Sequence, residues 1–136
     1  MGYDSGRIIK FTYNPTATTA GSCTFVSDFP AHTAKVVKIL AIPTPNTPTH
    51  IVSLDENGGV ITTNYSTGAQ WCSNTIKSYN GGTQTIISAV YHSQMTLVLI
   101  ATGDQLVIEY LNATCEFRRA YYFPTAILAI DDILTT

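Results

Sequence analysis

Between His50 and Gly68 the chain reads H-I-V-S-L-D-E-N-G-G-V-I-T-T-N-Y-S-T-G, two β-branched apolar runs on either side of an acidic, amide- and glycine-rich connector. Runs of that length around such a connector predict a strand, a tight turn and a returning strand. The same alternation of short apolar runs and polar breaks continues in both directions. Upstream, strands are expected over residues 6–13, 23–29 and 36–42. They are separated by Asn14-Pro15 with its Thr/Ala/Gly tract, by the loop at 30–34 and by the proline-spaced segment 43–48, which no helix or central strand can hold. Downstream, strands are expected at 70–79, 86–91, 96–101, 106–111, 115–123 and, after Pro124-Thr125, at 126–130. The nearly continuous apolar runs at 36–42 and 86–91 read as strands buried on both faces. No window carries apolar residues at helical spacing over three turns, so no helix longer than a turn is expected.

The runs repeat as a unit of four strands, here labelled a to d. The a-strand cores align as Ile39-Leu40-Ala41-Ile42, Ile87-Ser88-Ala89-Val90 and Ile127-Leu128-Ala129-Ile130; the first and third are the same tetrapeptide, each following a Phe-Pro pair. Cys23, Cys72 and Cys115 recur at similar spacing, each after a turn-like segment. They align as one packing position in successive units, which predicts three free thiols too far apart to bridge or to share a metal ion. A four-strand unit at a period of about 40 to 50 residues means β-propeller blades, each small antiparallel sheet burying its faces against its neighbours. The expected architecture is all-β, a single partial propeller domain over 1–136: strands c-d at 6–29, a blade at 35–79, a blade at 85–123 and the start of another at 125–136.

At this point the sequence resembles the WD40 family. His32 followed by Val36 and the apolar a strand is similar to that family's Gly-His opening, with Ala31 in place of Gly. Ser53 and Asp55 fall where a WD40 blade carries its hydrogen-bonding hydroxyl and aspartate, and Thr102 and Asp104 do so in the next blade. The family's Trp-Asp dipeptide falls at Phe11-Thr12, Thr63-Asn64 and Tyr110-Leu111, so it is absent from each copy. The resemblance implies structural roles for His32, Ser53, Asp55, Thr102 and Asp104.

Composition narrows the function. Only 12% of the 136 residues are charged and the formal charge is −2, with Thr, Ser, Asn and Gly carrying the polarity. That suits an all-β surface or one largely covered by other protein. The longest basic run is Arg118-Arg119, which excludes the clustered footprint that nucleic acid requires. No apolar stretch approaches the roughly 20 residues of a membrane span and the N-terminus lacks an h-region, so a soluble, cytoplasmic chain is expected. His32, His50 and His92 sit in different repeats without metal-ligand spacing, Asp131 and Asp132 would face opposite ways on a strand, and no G-x-S-x-G, G-x-G-x-x-G or Walker loop occurs. No catalytic, metal or cofactor site is therefore expected.

Arg118, Arg119, Tyr121 and Tyr122, with Trp71 on the equivalent outer strand, form the candidate protein contact, because arginine and aromatics dominate interface hot spots. The sequence thus predicts a non-catalytic protein–protein interaction scaffold within a multi-subunit assembly. Its partners are other proteins, among them a second copy that completes the ring. Two alternatives are a lectin-like oligomeric propeller, opposed by the single Trp, and a β-sandwich coat or adhesin domain, opposed by the repeat period.

Overall fold

The computed structural model describes residues 6–13, 23–29, 32–44 and 46–131. Their ten strands are β1 (Ile8–Tyr13), β2 (Cys23–Phe29), β3 (Val36–Ile42), β4 (His50–Asp55), β5 (Gly59–Asn64), β6 (Gln70–Thr75), β7 (Ile86–His92), β8 (Leu97–Thr102), β9 (Leu106–Leu111) and β10 (Glu116–Tyr122). All pairings are antiparallel. They form a two-stranded sheet β1-β2 and two four-stranded meanders, β3-β4-β5-β6 and β7-β8-β9-β10. No helix occurs among the described residues. The chain is thus part of a propeller: the c and d strands of blade I, then blades II and III.

Two apolar interfaces join the three sheets. Val52, Leu54 and Val60 of blade II face Val98, Ile100, Ile108 and Tyr110 of blade III, with Ile76 and Ile86 closing the margin. On the opposite face of blade II, Val36 and Ile51 meet Ile8 and Phe29 of blade I. Adjacent residues of β4 therefore serve different blades, as strand alternation requires. Each fully buried aliphatic side chain here contributes about 1.5 to 3 kcal/mol. One polar link crosses the larger interface: the Thr62 hydroxyl lies 2.8 Å from the Tyr110 hydroxyl, which donates to the Cys115 sulfur at 2.7 Å. Burial pushes the Tyr110 phenol up to about 12, so it stays a neutral donor. Between blades I and II, Lys10 lies 3.9 Å over the Tyr65 ring and donates to the Tyr65 carbonyl.

Every residue of β4 is buried, whereas β3 and β7 expose Val37 and Ile87. This corrects the expectation that the a strands are the doubly buried ones. An a strand sits at the edge of its sheet, with a neighbour on one side alone, and the b strand inside it takes the full burial.

The register revises the repeat. The carbonyls of Gly6, Gly58 and Gln105 accept from the amides of His32, Ile76 and Phe123 respectively, which makes these three turns equivalent. From blade II to blade III the c and d strands therefore repeat every 47 residues. The matching bulges at Val36/Lys38 and Ile86/Ser88 set the a strands 50 apart rather than 48. In that register Cys115 corresponds to Gly68 and not to Cys72. Both Cys115 and Gly68 have positive φ, 60° and 75°, in their c–d turns. The cysteines were expected to be equivalent and unbridged; instead Cys72 and Cys115 form a disulfide with Cα atoms 5.8 Å apart. A turn residue of blade III meets an outer-strand residue of blade II, a contact that equivalent positions could not make. The side chain of Cys23 lies outside the described set.

Residues 126–130, expected to begin another copy, run on from β10 without joining any sheet of the described residues. They lie beside Leu99 and Val107 on the far face of blade III. Residues 132–136 fall outside the described residues.

Candidate functional site

His32, Ser53 and Asp55 come together between blades I and II. His32 Nδ1 donates to Asp55 Oδ2 at 2.8 Å, and His32 Nε2 lies 2.7 Å from Ser53 Oγ. Asp55 Oδ1 also accepts the amides of Asn57 and Gly59, so this one carboxylate closes the β4–β5 hairpin and pins the segment that enters β3. The connectivity is that of a Ser-His-Asp relay. Ser53, however, sits in the middle of β4 with no accessible surface, and a nucleophile must reach its substrate. What this arrangement does chemically is satisfy buried polar atoms.

In blade III, Thr102 occupies the place of Asp55, and Asp104 the place of Asn57. The Thr102 hydroxyl meets the Leu106 amide and carbonyl at 3.4 Å. Asp104 Oδ2 accepts from Ser78 Oγ at 2.7 Å and from Gln84 Nε2 at 2.8 Å, and these donors hold its carboxyl below the usual range. Gln84, almost fully buried, plays the part that His32 plays in blade II. Sequence reasoning missed it because a lone glutamine carries no motif; its place just before an a strand was the available signal.

The proposed contact residues do not form one cluster. Trp71, about half exposed, stacks on His50 with ring centroids 5.0 Å apart. His50 is held by Thr49 Oγ1 at 2.9 Å and by the Asn112 amide at 2.6 Å, and burial lowers its pKa. Arg118 occupies the position of Trp71 on the next outer strand. Its guanidinium pairs with Glu109 at 3.0 Å, to which the Tyr121 hydroxyl also donates at 3.4 Å. That pairing, led by Arg118, holds the Glu109 carboxyl below its ordinary range. Arg118 and Tyr121 are thus turned in across their own sheet, whereas Tyr122 stands 67% exposed.

One opening lies at β1. This strand pairs with β2, and no described strand lies along its other edge. Beside that edge runs a groove of about 250 Å³ whose apolar walls come from Ile9 and Phe11 of blade I and Ile39, Ala41, Pro48 and Ile51 of blade II. A second hollow, about 360 Å³ and also apolar, lies on the far face of blade III among Leu99, Val107, Phe123, Ile127, Ala129 and Ile130. Among the described residues, no group of three His, Cys, Asp or Glu side chains is placed to hold a metal ion. Nor is there among them a helix long and apolar enough to cross a membrane.

No protein-family model and no curated protein sequence matches the chain. Solved structures do. The computationally designed Ika4 protein superposes at a TM-score of 0.66 with 15% identity, over 97% of this chain and 71% of that one. The designed Ika8 protein gives 0.64 at 15% identity, over 97% of this chain and 36% of its own. Sqt1 of Saccharomyces cerevisiae, a WD40 protein, gives 0.51 at 13% identity, over 94% of this chain and 49% of its own. The fold is a propeller segment. At these identities the likeness speaks for architecture alone, and the chain spans about half the length of Sqt1.

Proposed function

We propose that this chain is a non-catalytic protein-interaction module, a WD40-type propeller segment that associates with other protein. The apolar groove beside β1, between blades I and II, carries this reading. An extended segment of a partner protein can lie along such a groove, its alternate side chains filling the flanking pockets. The His32–Ser53–Asp55 network and the likeness to Sqt1 support the WD40-type assignment.

The partner proposed is a second copy. Residues 126–130 of one copy follow β10 at the place of an a strand in the repeat, with Leu128 88% exposed. With a b strand after it lying between it and β1 of the other copy, that segment and β1-β2 make one composite blade in the order a-b-c-d. Phe11 and Val26, both exposed, then face the hollow on blade III. A two-fold axis repeats the junction and closes the ring. Where the module works is proposed from the Cys72–Cys115 disulfide: such bonds persist in oxidising compartments and are rare in the cytosol, which argues against the cytoplasmic expectation.

Light scattering tests the pairing. The purified chain is expected at twice its 14.7 kDa, and Leu128→Lys, which changes a side chain already in solvent, is expected to return it to a folded monomer. A monodisperse monomer of the unaltered chain at tens of micromolar, or a dimer indifferent to Leu128→Lys, would overturn it.

A further inference from the structure

At the end of blade III away from the disulfide, a groove of about 380 Å³ runs between Tyr79, in the β6–β7 connection, and Tyr122, at the end of β10. Its floor is the β8–β9 turn, with Asp104 in the middle. Tyr79 is 93% exposed and Tyr122 67%, so neither ring is needed to fill the core. Asp104 is fixed by Ser78 and Gln84, so the floor is a positioned anion rather than a mobile one.

The repeat itself does not explain this groove. Register places Asn57 where blade III has Asp104 and Thr75 where it has Tyr122, so blade II builds the same turn without the acid and without the aromatic wall. Ring faces attract cations, and a planar guanidinium can stack on tyrosine while its N–H groups reach a carboxylate. A neutral sugar could also lie on the rings and donate hydroxyls to the carboxylate, but it would bring no positive charge to the ionised floor.

We infer that the groove between Tyr79 and Tyr122, floored by Asp104, is a recognition site for a cationic side chain of a partner protein, arginine in preference to lysine. The site is remote from β1 and stands whether or not the chain pairs with itself.

Titration of the isotope-labelled protein with N-acetyl-arginine N-methylamide tests it, followed through the amide resonances of Tyr79, Asp104 and Tyr122. Saturable shifts at those residues are expected. Tyr122→Ala, a change at an exposed side chain, should weaken the binding about two- to five-fold, and Asp104→Asn should weaken it and remove its salt dependence. The neutral isostere N-acetyl-citrulline N-methylamide should bind distinctly more weakly. Equal binding by citrulline, absence of shifts at the groove, or shifts caused there by methyl galactoside with the arginine probe inert would each overturn the inference.

Discussion

Asp55 holds three donors with one carboxylate, and its loss would leave the buried His32 Nδ1 and two part-buried backbone amides without their acceptor. Stranded buried donors cost about 1 to 3 kcal/mol, so Asp55→Ala is expected to lower unfolding stability by about 2 kcal/mol, measured by chemical denaturation. His50 acts through protonation. Because burial lowers its pKa, the unfolded chain takes up the proton first; the stability held by the neutral imidazole is complete above about pH 6.5 and is lost as the pH falls below it. Melting temperature should therefore decline from pH 7 to 5.5, and His50→Gln should flatten that decline. At this scale the sequence was partly legible. The family resemblance put Ser53 and Asp55 at hydrogen-bonding positions of a blade and His32 in the loop before its a strand, whereas the bonds that join the three appear only in the fold. The Cys72–Cys115 bond was not legible, since two similar intervals suggested equivalence while the register put Cys115 on a glycine site.

The c-strand entry turns show how one element tolerates different residues. Gly58 has φ of 88°, and a Cβ there would stand 2.3 Å from the Ile76 carbonyl oxygen. Its counterpart Gln105 holds φ of 65° with a side chain that donates to the Phe123 carbonyl. Gly58→Ala is accordingly expected to cost about 1 to 3 kcal/mol, and Gln105→Ala well under 1, in parallel denaturant titrations. Strands themselves were the most readable feature: all ten fall on runs read as strands, because short β-branched stretches between glycine, proline and amide breaks leave few other conformations. The exception is instructive. Residues 126–130 have the same tetrapeptide as part of β3, yet join no described sheet, since a strand exists only with a neighbour to take its hydrogen bonds.

For the whole molecule, blade count and order were visible in the repeat, whereas burial was not, because which face is covered depends on the next blade rather than on the local run. The groove beside β1 and the Tyr79–Tyr122 cleft were equally unreadable: both arise where residues far apart in sequence meet. The cross-link between blades II and III closes a separation of 43 residues, for which chain entropy alone suggests about 4 kcal/mol. Cys72→Ala is expected to lower stability by about 2 to 4 kcal/mol in the oxidised protein while leaving a reduced sample unchanged. The account rests on blades II and III stacking in the 47-residue register, and that stacking is what brings Cys72 against Cys115. Peptide mapping of the protein, folded under oxidising conditions and alkylated without reduction, reads this directly. A single intramolecular cross-link joining the peptides of Cys72 and Cys115 is the predicted result; a cross-link from Cys23 to either of them, or three alkylated thiols, would contradict it.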